Sequence, residues 1–232
     1  LKIDFLSIFV NPKSSIMLFN LSESASIASH FLSEIRDIDI QKDRLRFRRN
    51  MERLGEILAY ELSKGLDYSP SHVKTVLGEA SFDELREFPV IITILRAGLP
   101  LYQGILNYFD RSDSGFVGAY RAHKGSETEF EIKTDYLACP NLDDRTLILA
   151  DPMLATGRSL VDGMNMILKN GTPKFVHIVS AIATPEGIRY LNENFPVPFK
   201  IWTAAVDTGL NAKSYIVPGL GDAGDLSFGD KL

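Results

Sequence analysis

The nine residues Asp151-Pro-Met-Leu-Ala-Thr-Gly-Arg-Ser159 lie between an apolar run, Leu147-Ile-Leu-Ala150, and a stretch of helical spacing that begins near Leu160. Strand, acid, Thr-Gly turn and helix, in that order, describe a phosphate site with a carboxylate in front of it. The N–H groups of a tight turn and the unpaired N–H groups of a first helical turn hold a phosphate without help from a basic side chain. Asp151, at the carboxyl end of the strand, would face the hydroxyls of the sugar that carries that phosphate. An ordinary strand-to-helix turn is the competing reading, and the segment by itself leaves both open.

Other residues of chemical type fall into a few groups. Arg96 ends the apolar run Val90-Ile-Ile-Thr-Ile-Leu95, where a charge needs a partner. That partner is either a ligand or an acid such as Glu79 or Asp83. Gly219-Leu-Gly-Asp-Ala-Gly224 fits the dinucleotide pattern G-x-G-x-x-G, but only eight residues follow Gly224, and the fingerprint has to open a helix inside a βαβ unit of about 30 residues. A plain turn is one alternative. The other is a main chain made thin by Gly219, Gly221, Gly224 and Gly229, beside Asp222 and Asp225, so that a flat ligand can lie against it. His123 reads as an exposed loop residue rather than a general acid, and His30, His72 and His177 show no metal spacing. Neither a G-x-S-x-G elbow nor a Walker A loop occurs. The basic run Lys42-Asp-Arg-Leu-Arg-Phe-Arg-Arg49 reads as a solvated helix face, with phosphate or RNA contact as the alternative.

The elements that must position these residues form an α/β pattern. Two helices are expected between Ile27 and Lys64, with Phe31, Leu32 and Ile35 on one and Leu54, Ile57, Leu58, Glu61 and Leu62 on the other. The Val90–Leu95 run has the β-branched content of a buried parallel strand, and Leu101 to Phe109 supply a helix. A strand from Phe116 to Tyr120 precedes the polar, aperiodic stretch Arg121 to Glu129, which reads as a mobile lid; alternation from Glu129 to Tyr136 marks a half-exposed strand or hairpin. Strand and helix then alternate at 147–150, 160–169, 175–183, 185–194 and 200–206. Such alternation builds a parallel sheet flanked by helices, whose ligands bind at the carboxyl ends of the strands, where the strand order switches.

The chain has 232 residues, 45% hydrophobic and 24% charged, enough for one sizeable core. The net charge of -5 argues against nucleic-acid binding through a broadly basic surface. A single cysteine, Cys139, excludes an internal disulfide and suits a reducing cytoplasm. The apolar run Phe5 to Val10 is too short for a signal sequence, and no membrane span is expected. Residues 1–19 are expected to be an N-terminal extension, with either Met17 as the physiological start or the first residues dispensable, and residues 20–232 one domain with a lid at about 121–138 and a C-terminal segment from 207.

The run Asp-Pro-Met-Leu-Ala-Thr-Gly at 151–157 resembles the phosphoribosyl diphosphate (PRPP) signature of the uracil phosphoribosyltransferases, and the likeness extends over residues 20–232. It implies a phosphoribosyltransferase-type sheet and a PRPP site made of Asp151, Pro152, Met153, Leu154, Ala155, Thr156, Gly157, Arg158 and Ser159, with the ribose hydroxyls on Asp151 and the 5-phosphate on Thr156 to Ser159. Ile-Leu-Arg-Ala-Gly-Leu at 94–99 and Tyr120-Arg121 resemble the family's two other PRPP contacts, which brings in Arg96 and Arg121. The run Tyr215 to Asp225 resembles the uracil-binding segment, with the base read by main chain at Ile216 and at Gly221, Asp222 and Ala223, and with the Asp222 carboxylate near PRPP. Asp151, Arg96, Arg121 and Asp222 are thereby the expected catalytic groups.

The implied reaction moves ribose 5-phosphate from PRPP to N1 of uracil, giving UMP and pyrophosphate, with magnesium carried by PRPP and no direct protein ligand. The family also implies a cytoplasmic homodimer or higher homo-oligomer, with GTP as a candidate allosteric activator, and with neither nucleic acid nor membrane as partner. Arg46 and Arg49 would then serve a subunit contact or effector site. Three departures stand out: Arg158 where a second glycine is common, Pro100 after the Arg96 loop, and Gly-Asp-Leu-Ser-Phe-Gly-Asp at 224–230. Arg158 is harmless only if its φ is not positive. Two rivals remain: a catalytically silent PRPP or UMP sensor that acts on RNA, and transfer to another base.

Overall fold

A computed structural model describes residues 17–126 and 129–230, with side chains outside 119–135. In chain order the elements are β1 (Leu18–Asn20), α1 (Ala28–Arg36), α2 (Arg44–Ser63), β2 (Tyr68–Lys74), β3 (Glu79–Leu85), β4 (Val90–Leu95), α3 (Leu99–Tyr108), β5 (Ser114–Ser126), β6 (Glu129–Ala138) and β7 (Thr146–Ala150). There follow β8 (Met153–Leu154), α4 (Arg158–Ile167), β9 (Phe175–Ala183), α5 (Pro185–Asn194), β10 (Phe199–Val206), β11 (Gly209–Leu210), β12 (Ile216–Val217) and α6 (Ala223–Phe228). The main sheet runs β1-β10-β9-β7-β4-β5-β6, and β8 pairs with β9. All of its pairings are parallel except β5 with β6.

Helices cover both faces of the sheet, which is why its strands are apolar throughout instead of alternating. In β4, Ile91 packs with residues of α1, α2 and α3, while Val90, Ile92 and Ile94 pack with residues of α4 and α5. In β7, Ile148 and Ala150 face the first group and Leu147 and Leu149 the second. Local chemistry fixes the helix starts that matter for the site. The Asp43 carboxylate accepts from Arg46 N at the start of α2, and the Thr184 hydroxyl accepts from Gly187 N at the start of α5, where Pro185 needs no N–H partner.

Three boundaries differ from expectation. Strand β5 runs to Ser126 and pairs with β6, so the stretch read as an aperiodic lid after Tyr120 is one leg of a hairpin. Its register shifts between Gly118 and Ala119 and between His123 and Ser126, and such shifts interrupt the alternation that marks a strand in sequence. Strands β2 and β3 form a separate antiparallel ribbon that no sequence pattern announced; it buries too little of either face to impose a hydrophobic period. Residues 18 and 19 of the expected extension pair with Ile201 and Trp202 as part of edge strand β1, while the start expected at Met17 and the run Phe5 to Val10 concern residues at or outside the described limit.

The basic run forms the first turns of α2, where acids and main chain take up most of its charge. Arg46 bridges to Glu34 at 2.5 Å and Arg49 to Glu52 at 2.6 Å, while Arg48 Nη1 donates to the carbonyl of Ser227 at 2.7 Å. Hydrogen bonds from Arg46, and then from Asn50, hold the Glu34 carboxyl down at about 2.

Between β9 and β10, the indole Nε1 of Trp202 donates to His177 Nδ1 at 3.0 Å. A fully protonated imidazole has no acceptor to offer there. Burial, and secondarily Lys200, push the pKa of His177 down to about 4, below the value of about 6.5 expected in the unfolded chain. As pH falls from 7 to 5 the unfolded chain therefore takes up a proton that the folded one refuses, and the folded state loses about 2 kcal/mol. Urea denaturation at the two pH values should show that loss in the wild type and a clearly smaller one in His177→Asn, which keeps an acceptor but does not titrate. Equal losses would mean that His177 does not carry the effect.

Candidate functional site

The Asp151–Ser159 loop is tied down by its neighbours before any ligand is considered. Asp151 N donates to Val179 O at 3.0 Å, the carbonyl of Pro152 accepts from Ala181 N and Ile182 N, both at 3.0 Å, and Thr184 N donates to Leu154 O at 3.0 Å. The Thr184 hydroxyl adds a 2.7 Å bond to the carbonyl of Ala155. One residue thus caps α5 and holds the loop. The chain then turns at Gly157, which has φ 77° and serves as the N-cap of α4. A Cβ there would stand 3.0 Å from the Gly187 carbonyl oxygen and 3.2 Å from the Tyr190 ring.

Arg158 is the first residue of α4, exposed, and outside the positive-φ set. The departure at this position is therefore silent for the backbone, because the left-handed turn falls one residue earlier. First-turn N–H groups of a helix have no acceptor within it, and Arg158 N reaches only a 3.4 Å contact with Thr156 Oγ1. The result is an array of main-chain donors at the positive end of a helix dipole. Asp151 stands half-buried at its entrance, its Oδ1 accepting from Met153 N at 3.3 Å.

Arg96 follows the adjacent strand, β4. Its ion-pair partner is neither Glu79 nor Asp83, both of which sit exposed on the β3 ribbon strand. Nη2 instead meets Asp225 Oδ1 at 2.8 Å and the Gly229 carbonyl at 2.8 Å. Sequence separation hid this contact, since the partners stand 129 positions apart. The loop after Arg96 bends back over the end of β7. Thr93 Oγ1 donates to Ala150 O at 2.9 Å, and a side chain at Gly98 would run into that Thr93 hydroxyl. Pro100 falls in the first turn of α3, where a missing N–H costs nothing.

Arg121 and His123 lie on β5, opposite Ile132 and Phe130 of β6, and their side chains are outside the described residues. The strand β5 neighbours β4, which puts the main chain of Arg121 beyond the end of the strand that carries Arg96.

A buried clamp sets the C-terminal segment. Asp207 is 7% exposed and receives Arg36 in a two-pronged pair at 2.9 and 2.7 Å. It also accepts from Gly219 N at 2.8 Å, while Arg36 reaches Gly219 O at 3.2 Å. Strands β11 and β12 close the loop above it, with Ile216 buried. The glycine-rich run does open a helix, the six-residue α6, but not within a βαβ unit. The Asp222 carboxylate caps it, accepting from Gly224 N at 2.8 Å and Asp225 N at 3.1 Å, both through Oδ1. Gly221, with φ 100°, is exposed, and Ala223 is buried.

Arg96 is therefore bonded to the C-terminal segment at Asp225 and Gly229, and the loop that starts at Asp151 leaves the neighbouring parallel strand at the same end of the sheet. Asp207, Arg36, Thr184 and Asp225 were missed as positioning residues. Only Thr184 had a local signal, a hydroxyl before a helix-starting proline. Among the described residues, no three of His, Cys, Asp and Glu come together as a metal site.

The sequence model of the family described as uracil phosphoribosyltransferase matches residues 22–230. A protein named uracil phosphoribosyltransferase from Porphyromonas gingivalis is 46% identical over 215 residues, 93% of this chain and 99% of its own. One of the same name from Pyrococcus furiosus is 39% identical over 213 residues, covering 90% and 89% of the two chains. The solved structure of the AQ2163 protein from Aquifex aeolicus is similar in fold, with TM-score 0.80 and 33% identity over 92% of this chain and 98% of that one.

The turn at 157 can be tested by stability alone. Gly157→Ala forces a side chain into the left-handed region and should cost about 1–2 kcal/mol in urea denaturation, whereas Arg158→Ala should stay within about 0.5 kcal/mol of the parent. Equal costs would show that the turn does not depend on Gly157.

Proposed function

The chain belongs to the uracil phosphoribosyltransferase family, and from that premise we propose that it transfers ribose 5-phosphate from PRPP to N1 of uracil, releasing UMP and pyrophosphate. It is a pyrimidine-salvage enzyme. The observation that carries the residue-level reading is the joint between two loops. The left-handed turn and helix start at 157–158 lie after β7, and Arg96 lies after the adjacent β4, bonded to the C-terminal segment.

In this reading the N–H groups from Thr156 to Ser159 hold the 5-phosphate, and Pro152 to Ala155 form the floor on which PRPP lies. The Asp151 carboxylate accepts from the ribose 2- and 3-hydroxyls. Arg96 and Arg121 neutralise the departing diphosphate. Asp222, its Oδ1 engaged in the cap of α6, orients PRPP on the side of the incoming base. Magnesium carried by PRPP would add charge neutralisation at the diphosphate.

The reacting ribose carbon gains positive character as the diphosphate leaves, so the protein's work is to align the base with that carbon and to stabilise the leaving group. Uracil presents O2, N3–H and O4 in sequence along one edge, and a fixed main chain at Ile216 and at Gly221 to Ala223 can offer the complement. Cytosine lacks N3–H and carries an amino group at C4, which leaves buried groups unpaired at about 1–3 kcal/mol each. The hairpin of β5 and β6 would close over the site and exclude water, which otherwise hydrolyses PRPP.

A homo-oligomer is part of the proposal. It draws support from the ribbon tip, where Val76 and Leu77 are 100% and 98% exposed, more apolar surface than so short a loop needs to show to solvent. The RNA-binding rival needs free cations at 44–49, and the pairing of Arg46 with Glu34 and of Arg49 with Glu52 disfavours it. No helix among the described residues is long and apolar enough to cross a membrane.

Folded protein given PRPP, magnesium and labelled uracil should form UMP, and in a panel of uracil, cytosine, hypoxanthine and orotate only uracil should be consumed. Failure to form UMP sinks the reading. Asp151→Asn should lower kcat/KM for PRPP about 100-fold, from the loss of charge-assisted bonds to two hydroxyls, with little change in Tm. A fall in Tm that parallels the loss of activity would make Asp151 structural instead.

A further inference from the structure

Arg96 is held from one side by a segment whose assigned role is to bind a different substrate. Both N–H bonds of Nη2 are engaged, one with Asp225 Oδ1 and one with the Gly229 carbonyl, each at 2.8 Å. Nε is enclosed and has no protein partner, and a Cβ added at Gly224 would stand 4.0 Å from it. The donors left for an oxyanion are chiefly the two N–H groups of Nη1. A guanidinium is planar and rigid, so fixing Nη2 fixes the direction of Nη1.

Asp225 is itself held firmly. Its N–H donates to Asp222 Oδ1 at 3.1 Å, and its carbonyl accepts from Gly229 N at 2.8 Å. The α6 that it belongs to begins at Ala223, the last of the residues assigned to uracil. The ion pair is about one-third exposed on both sides, 35% for Arg96 and 32% for Asp225. At that exposure an ion pair contributes little to overall stability, and its effect is on the geometry of the guanidinium.

We propose that Asp225 is a positioning residue for the transfer reaction: through Nη2 it sets the plane of the Arg96 guanidinium, so that Nη1 meets the diphosphate of PRPP, and it ties that plane to the segment that receives uracil. The inference rests on the reading of Arg96 and of residues 216–223 given above. Its consequence is that the leaving-group contact and the base platform move as one body. A base seated against Gly221 to Ala223 is then in register with the diphosphate it displaces.

The two products separate this role from a merely structural one, because pyrophosphate uses the Arg96 site and UMP uses the phosphate loop, Asp151 and the base segment. In the full-length protein, Asp225→Ala should weaken pyrophosphate binding and raise the KM for PRPP, each about 10-fold, while UMP affinity stays within about 3-fold of the wild type. Asp225→Asn, whose side-chain oxygen still accepts from Nη2, should recover most of the loss; if Asp225→Ala does not fold, Asp225→Ser, which removes the carboxylate and keeps a small polar side chain, should show the same loss of pyrophosphate binding with UMP affinity retained. Unchanged or tighter pyrophosphate binding would overturn the proposal, since a carboxylate that merely competes for Arg96 predicts tightening. A parallel loss of UMP and pyrophosphate would also overturn it, by showing that Asp225 only holds the segment in place. Wild-type protein that forms no UMP would overturn the functional reading along with this one, whereas wild-type activity with unaltered pyrophosphate binding in Asp225→Ala would overturn this inference alone.

Discussion

The parallel pairing of β4 with β7 is the constraint on which the site depends. Its register sets Thr93 against Ala150, and the buried Thr93 hydroxyl adds a side-chain bond to the same carbonyl. Two loops, one beginning with an arginine and the other with an aspartate, must then leave the sheet side by side. The chain reaches β5 on one side of β4 and β7 on the other, so the loops diverge and open a crevice at their common end. A slip of one residue in this pairing would turn Thr93 and Ala150 toward opposite faces and dissolve the arrangement.

The site divides its work between main chain and charge. The Asp151–Ser159 loop offers N–H groups fixed by β9 and by the Thr184 cap, so its geometry follows from the sheet. The C-terminal segment has no sheet to rest on and depends on the pair of Arg36 with Asp207, which also receives Gly219 N. A nearly buried carboxylate that satisfies a guanidinium and a main-chain donor at once specifies a single position for the segment. Breaking such a pair from one side leaves an uncompensated charge, at a typical cost of 3–5 kcal/mol. The exposed pair of Arg96 with Asp225 is of another kind, suited to aiming a group and contributing little to stability.

Elements buried on both faces were legible in the sequence because burial writes itself into composition. Val90 to Leu95, Leu147 to Ala150 and Phe175 to Ala183 became strands with limits close to those expected, and the two N-terminal helices kept the apolar spacing that announced them. The β2–β3 ribbon was not legible, since it packs against little and its residues carry no period. The extension of β5 past Tyr120 was hidden by two register shifts, which break the alternation that sequence reading depends on.

By itself the sequence determined the parallel sheet and the family, and it marked the segments proposed to carry each substrate, because those depend on local order: strand, acid, turn, glycine, helix. It also contained the answer about Arg158 without revealing it, since only the backbone shows that the left-handed residue is Gly157. The tertiary structure alone decided the pairings. Asp225 rather than Glu79 or Asp83 meets Arg96, and Arg36 meets Asp207 across 171 residues of chain. The physical reason is range: hydrogen bonding in a turn and burial in a strand act on neighbours in sequence, whereas an ion pair between distant segments forms only after the sheet and its covering helices have brought them together.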